Sequence, residues 1–133
     1  MPSVGENINA TNARWSFSSK SVVENFESHV SKSVPLYNEG HDLILRLSDF
    51  FIHNESSVME IGCSTGILTH KLAKRTELDN VEFLGLDIEE EMVAYANKSY
   101  KHKQCKFICE NIVLVSSFVS YIRGKKPCST IFF

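Results

Sequence analysis

One short turn constrains the fold of this chain more than any other feature of its sequence. The segment Glu-Ile-Gly-Cys-Ser-Thr-Gly (residues 60–66) follows a short apolar run at 58–61 and precedes a helical pattern that begins at Ile67. A glycine-containing turn between a strand and a helix is the context in which backbone wraps around a nucleotide. Gly62 permits a tight turn and lets a ligand lie against bare backbone, and Gly66 lets the helix approach the strand. The turn predicts a nucleotide-binding α/β domain.

A carboxylate at the end of the next strand supports this interpretation. The apolar run 81–86 ends at Asp87, which lies 21 residues after Gly66. In nucleotide-binding folds about 20 residues separate the glycine turn from the acid that holds the ribose hydroxyls. The alternative is that Asp87 caps the following helix, which opens with the acidic residues 89–91. The two roles are compatible.

Strands and helices alternate from residue 58 onward. The predicted strands are 58–61, 81–86, 106–109 and 128–133, and the predicted helices are 67–75, 89–100 and 112–123. This order calls for a parallel sheet with right-handed crossovers. In folds of this class, strand four lies beside strand one. The expected fold is α/β, a Rossmann-like parallel sheet with flanking helices. Residues 58–133 would form a partial cofactor-binding domain of this fold, with about four strands.

The chain before this domain has a different character. Residues 1–18 are polar and without period, and we expect a mobile N-terminal arm. Residues 19–57 are expected to form helices that cover the cofactor site, a weak one at 21–34 and a stronger one at 38–53. The stronger helix carries one apolar stripe, formed by Leu43, Ile44, Leu47, Phe50 and Phe51.

The fourth predicted strand would leave an open parallel edge. Its apolar residues, Ile131 to Phe133, end the sequence. We therefore expect a truncated domain or half-domain whose edge pairs with a second copy or with a partner chain.

Composition restricts the environment and the partners. The formal charge of −2 gives no electrostatic reason to expect nucleic acid, and no segment approaches the roughly 20 apolar residues that span a bilayer. We expect a cytoplasmic protein. The four cysteines form no CxxC pair, so free thiols are favoured and no metal site is expected. Cys63 is expected to be a small filler of the turn, and His41 and His70 are expected at the surface.

The turn also distinguishes between nucleotides. A dinucleotide turn has the pattern G-x-G-x-x-G, but Ser64 and Ile67 stand where its second and third glycines would be. Glu60 lies two residues before the first glycine, where its charge would repel a phosphate. A carboxylate there suits a ligand with positive charge, such as the amino group of a methionine moiety. The residues favour S-adenosyl-L-methionine over a dinucleotide.

These segments resemble the first three motifs of the class I S-adenosylmethionine-dependent methyltransferases. The resemblance rests on residues 60–66, on Leu86-Asp87 and on Glu110-Asn111-Ile112, and it covers residues 26–112. It is strongest to the carboxy-S-adenosylmethionine synthases, whose product is the donor for a tRNA wobble-uridine modification. They share the Gly-Cys-Ser turn and an earlier Ser-Val-Pro-x-Tyr segment, here residues 33–37.

The resemblance implies a role for each matching residue. Tyr37 would close over the cofactor, and Gly62, Cys63 and Ser64 would line its methionine portion. Asp87 would hold the ribose, and three residues would lie at the adenine: Ile88, Asn111 and Ile112. The family usually has Gly-Asp where this chain has Glu110-Asn111. An amide oxygen can still accept a hydrogen bond from the adenine amine.

The implied function is methyl transfer to an unidentified acceptor, or synthesis of the carboxy donor. The donor is already activated, so orientation and desolvation supply most of the catalysis, and no catalytic base is assigned. The alternative is an inactive S-adenosylmethionine-binding remnant or a subunit completed by a partner chain. The family's carboxylate-binding arginine would lie beyond residue 133.

Overall fold

A computed structural model of the chain describes residues 19–111 and 130–132. The helices are α1 (Lys20–Ser33), α2 (Tyr37–Ser48), α3 (Ile67–Arg75) and α4 (Glu90–Ser99). The strands are β1 (Ser57–Ile61), β2 (Glu82–Asp87), β3 (Cys105–Cys109) and β4 (Thr130–Phe132). The predicted arm at 1–18, the predicted helix at 112–123 and residues 128, 129 and 133 of the predicted fourth strand lie outside the described residues.

The four strands form one parallel sheet in the order β3-β2-β1-β4. Ser57 to Ile61 pair with Glu82 to Leu86, and β4 pairs with the opposite side of β1. The predicted α/β fold and the position of strand four beside strand one are both confirmed. Because all strands run in one direction, the turn after β1, Asp87 and the residues after β3 meet at the same edge of the sheet.

Apolar side chains of the sheet and of α3 and α4 form the core. One cluster joins α3 to β1 and β2 and is composed of Ile52, Val58, Leu68, Leu72, Ala73, Val81 and Phe83. A second joins the turn to α4 and β3 and is composed of Cys63, Val93, Ala96 and Phe107. The second cluster fixes the position of the glycine turn, because Cys63 belongs to the turn itself.

The second helix differs from its prediction at its C-terminal end. It stops at Ser48, where residue 53 was expected. The Ser48 hydroxyl donates a hydrogen bond of 2.8 Å to the Leu45 carbonyl, and the amides of Phe50 and Phe51 bond three residues back. A serine that bonds to a carbonyl of its own helix competes with helical geometry, and tighter bonds of this kind close a helix.

Most of the apolar stripe of this helix faces solvent. Of its apolar stripe, Leu43, Leu47, Phe50 and Phe51 are exposed, and only Ile44 packs against the core cluster. The buried side chains of α2 are those of His41 and Ser48. Periodicity showed which residues share a side of the helix, but which side meets α3 depends on tertiary packing.

None of the helices in the described ranges is long and apolar enough to cross a membrane.

Candidate functional site

The turn after β1 folds back on the end of β2. The amides of Gly62 and Cys63 both donate to the Leu86 carbonyl, at 2.8 and 2.9 Å, and the amide of Gly66 donates to the Cys63 carbonyl at 2.7 Å. Gly62 and Gly66 have φ of +74° and +81°, and Ser64 has φ of +48°. Left-handed backbone at three of five positions requires residues that tolerate it, which explains the two glycines.

The two glycines of the turn have different surroundings. A Cβ on Gly66 would lie 2.4 Å from Cε1 of Phe107 and 2.9 Å from Cβ of Ala96. A Cβ on Gly62 would meet no atom within 4 Å. Gly66 is therefore needed for close packing of the turn against α4 and β3, whereas the open face of Gly62 is where a ligand could lie against bare backbone.

Asp87 binds the turn directly. Its Oδ2 accepts a hydrogen bond of 2.7 Å from the Ser64 amide, and its Oδ1 accepts one of 3.0 Å from the Glu89 amide. The N-cap residue of α4 is Glu89, so Asp87 supports the start of that helix from two residues upstream. Each carboxylate oxygen has a second lone pair. Asp87 can thus hold the turn and still accept from a ribose hydroxyl.

Glu60, near the end of β1, is the second carboxylate beside the turn. Its Oε2 accepts from the Thr69 amide at 2.9 Å and from the Thr69 hydroxyl. Burial, together with the charges of Asp87 and Glu27, raises the pKa of Glu60 to about 7, although the hydrogen bonds from Thr69 act to lower it. A cation placed beside Glu60 would favour its ionised form.

Glu27 of α1 belongs to the site and was not predicted. One carboxylate oxygen accepts a hydrogen bond of 3.1 Å from the Tyr37 hydroxyl, and the other accepts from the hydroxyl of Thr65, which is fully buried. Glu27 thereby joins both N-terminal helices to the glycine turn. No local signal marks it, because Glu27 and Thr65 are 38 residues apart in the chain.

Tyr37 is the first residue of α2. Its hydroxyl bonds to Glu27, which in turn bonds to Thr65 of the turn. Its ring is tilted against the ring of His41, with centroids 4.4 Å apart, and Nδ1 of His41 lies 3.5 Å from Nζ of Lys71. His41 is therefore buried, and its predicted surface position is wrong. Burial, followed by the charge of Lys71, lowers the pKa of His41. Burial and Glu27 raise the pKa of Tyr37, so its hydroxyl remains a donor.

Cys63 has the environment of a packing residue. Its side chain is buried in the cluster with Val93 and Phe107, and burial raises the pKa of its thiol. A nucleophilic cysteine needs a lowered pKa and access to solvent. The described cysteines, Cys63, Cys105 and Cys109, are free thiols as predicted. Within the described ranges, no three His, Cys, Asp or Glu side chains are grouped to hold a metal ion.

The residues expected at the adenine lie at the same sheet edge. Ile88 follows Asp87 and is 64% exposed, and Asn111 is exposed two residues after β3. The Glu110 amide donates to the Asp87 carbonyl at 2.9 Å, which holds this segment next to β2. Ile112 lies outside the described residues. The edge therefore brings together the turn, Asp87, Ile88 and Asn111.

Known proteins share this sequence and this fold. Residues 52–117 match the sequence model of a methyltransferase domain family. The carboxy-S-adenosyl-L-methionine synthase of Staphylococcus epidermidis is 30% identical over 99 residues, which are 74% of this chain and 43% of that protein. The malonyl-[acyl-carrier protein] O-methyltransferase of Priestia megaterium is 33% identical over 72 residues, 54% of this chain and 26% of that protein.

A solved structure gives the same result for the fold. A protein of Methanococcus maripaludis described as an S-adenosyl-L-methionine-dependent methyltransferase superposes with a TM-score of 0.57 at 18% identity, covering 77% of this chain and 46% of that one. The chain thus spans less than half the length of each of these proteins. By fold, motif and sequence, it belongs to the class I S-adenosylmethionine-dependent methyltransferase superfamily.

Proposed function

We propose that the chain binds S-adenosyl-L-methionine across the turn at residues 62–66 and serves a transferase that uses this cofactor. One observation carries the proposal: the Asp87 carboxylate bonds to the Ser64 amide within the turn, while Glu60, which bonds to Thr69 of α3, lies two residues before the open backbone face of Gly62. Two acids and an uncovered glycine suit a ligand with an ammonium group and a ribose, and they disfavour a pyrophosphate. Superfamily membership supports the same ligand.

Each residue of the site has a proposed task. Glu60 attracts the methionine ammonium, while Gly62, Cys63 and Ser64 present backbone to the methionine portion and Gly66 keeps the turn against the sheet. Asp87 holds the ribose hydroxyls. Ile88, Asn111 and Ile112 hold the adenine. Tyr37 closes the site from the N-terminal helices at 19–57, and the bond between Tyr37 and Glu27 supports this position.

The bound cofactor would supply a methyl group already activated on a sulfonium. The residues of this chain then bind and orient it, and the helices exclude water from it. No side chain of the described site is assigned as a general base. Asp87 and the turn act by fixing the donor, which is the contribution that a transfer from an activated donor requires.

The proposal also concerns the reaction that the cofactor serves and the acceptor of the transferred group. Similarity to carboxy-S-adenosyl-L-methionine synthases over 74% of the chain favours synthesis of the carboxy donor, in the cytoplasm and in the service of tRNA modification. Similarity to an O-methyltransferase over 54% of the chain supports methyl transfer instead. The chain spans less than half of either protein. The alternative function is therefore that of a cofactor-binding subunit without activity of its own.

Calorimetric titration tests the ligand. We expect S-adenosylmethionine and S-adenosylhomocysteine to bind and NAD to give no heat. NAD binding without a response to S-adenosylhomocysteine would refute the assignment. Incubation with labelled S-adenosylmethionine and bulk tRNA, with or without a carboxylate donor, then separates methyl transfer, carboxy-donor synthesis and binding alone. Product analysis by mass spectrometry provides the readout.

A further inference from the structure

Glu27 lies where α1, α2 and the glycine turn meet. Its carboxylate accepts a hydrogen bond of 3.1 Å from the Tyr37 hydroxyl and a second one from the hydroxyl of Thr65 in the turn. Both oxygens therefore act as acceptors, as in an ionised carboxylate. Among the described residues, Lys71 of the neighbouring α3 makes no ion pair with Glu27, and its ammonium instead lies 3.5 Å from Nδ1 of His41. The half-buried charge of Glu27 is thus only partly screened by solvent.

The carboxylates around the turn carry negative charge that no described cation balances. Glu27, Glu60 and Asp87 make their hydrogen bonds to amides and hydroxyls. The ion pairs of the described residues lie elsewhere, at Asp49 and at Asp79. The charges of Asp87 and Glu27 both contribute, after burial, to the raised pKa of Glu60, so the three carboxylates act on the same region. A ligand with net positive charge would relieve their repulsion.

The bond from Tyr37 to Glu27 also determines what the tyrosine presents to a ligand. A phenol has one O–H donor and accepts through its lone pairs. Because the proton points at Glu27, the Tyr37 oxygen offers only lone pairs to any other group. An oxygen that can only accept suits an ammonium or the polarised methyl group of a sulfonium. The sulfur of a thioether has no proton to donate to it and no positive charge.

We propose that Glu27 is a specificity-determining residue, which makes the site prefer the sulfonium cofactor over its neutral thioether product. Loss of the methyl group from S-adenosylmethionine removes one positive charge and leaves the ammonium, the ribose and the adenine unchanged. Glu27 acts on this difference directly through its charge and indirectly by orienting the Tyr37 hydroxyl. The proposed contacts of Asp87 and of the turn are to parts that both molecules share. This role rests on the proposed function, because it requires the cofactor to lie against the turn.

Calorimetric titration of the full chain with both ligands tests this role. The readout is the dissociation constant of S-adenosylhomocysteine divided by that of S-adenosylmethionine. In Glu27→Gln, which keeps the size of the side chain, we expect this ratio to fall by roughly three- to tenfold, because one of two interacting unit charges is removed. Tyr37→Phe should lower the ratio by a smaller factor, since the charge of Glu27 remains. Glu24→Gln removes an equal charge from an exposed position of α1 and should leave the ratio unchanged.

Ionic strength gives a second readout that needs no variant. Added salt should weaken wild-type binding of S-adenosylmethionine more than that of S-adenosylhomocysteine, because screening acts on the additional charge. Equal salt dependence of the two ligands overturns this role, and so does a Glu27→Gln protein that loses affinity for both ligands by the same factor. If Glu27→Gln does not fold, the ratio in Tyr37→Phe and the salt dependence decide. A wild-type chain that binds neither ligand would instead refute the proposed function.

Discussion

The backbone amide of Ser64 donates a hydrogen bond of 2.7 Å to Oδ2 of Asp87. The residue that we propose binds the ribose therefore also stabilises the turn. Ser64 itself has a positive φ of 48°. The second oxygen of Asp87 holds the amide at the start of α4. One carboxylate therefore fixes the relative positions of the glycine turn, β2 and α4.

Asp87→Ala should accordingly affect folding as well as binding. Removing an acceptor from two partly buried amides costs roughly 1–3 kcal/mol, and we expect a loss of unfolding free energy in this range in urea denaturation. Affinity for S-adenosylhomocysteine should fall by a similar amount, measured by calorimetry on the folded protein. Asp79→Ala is the matched control, because Asp79 is an exposed acid whose side chain forms an ion pair with Lys103 at 3.4 Å. If Asp87→Ala binds the ligand with wild-type affinity, the ribose role is wrong.

Glu60 should make stability depend on pH. Its pKa is about 7 in the folded chain and near the ordinary 4.5 in the unfolded chain. Between these values the folded state holds the proton more tightly, so this contribution to stability is greatest below about pH 4.5 and is lost as the pH rises through 7. Glu60→Gln should remove the dependence, and at pH 8 it should be more stable than wild type by on the order of 3 kcal/mol. Urea midpoints at pH 5 and pH 8 for both proteins measure the difference.

The same carboxylate couples binding to protonation. A ligand ammonium beside Glu60 favours the ionised form, so wild-type affinity for S-adenosylhomocysteine should rise between pH 6 and pH 8 with release of a proton. Calorimetry in buffers of different ionisation enthalpy detects that proton. Glu60→Gln should bind more weakly and without this pH dependence. Equal affinity and equal pH dependence in the two proteins would show that Glu60 does not face the ammonium.

The features of this structure that could be predicted from the sequence are those that depend on short-range geometry. The turn at 62–66 and its partner Asp87 were identifiable because a glycine at a positive φ and an acid at a strand end are fixed by short-range geometry. The bond between Glu27 and Thr65 was not, because it depends on how α1 lies across the sheet. The outward position of the apolar stripe of α2 could not be predicted for the same reason: a helical period does not show which side of the helix a neighbouring element covers.

The two glycines of the turn should respond differently to substitution by alanine. Gly66→Ala places a methyl group 2.4 Å from Phe107 at a φ of +81°, so we expect a loss of roughly 2–5 kcal/mol in urea denaturation, or failure to fold. Gly62→Ala has a similar φ but open space around it, and its loss of stability should be only about 1–2 kcal/mol. Its larger effect should be on S-adenosylhomocysteine binding, since the methyl group occupies the proposed ligand face. Equal destabilisation by both variants would contradict the packing role of Gly66.

The bond between Glu27 and Thr65 should couple the N-terminal helices to the turn energetically. Glu27→Ala leaves the buried Thr65 hydroxyl without its acceptor and should lower the unfolding free energy by roughly 1–3 kcal/mol. Thr65→Val removes the donor but keeps the shape of the side chain. In the double variant the two losses should not add, and a double-mutant cycle in urea should give a coupling of roughly 0.5–3 kcal/mol. Glu24→Ala, an exposed acid one turn earlier on α1, is the control and should change stability by less than about 0.5 kcal/mol. Additive losses would mean that Glu27 acts through Tyr37 alone, and that the helices are not fastened to the turn at Thr65.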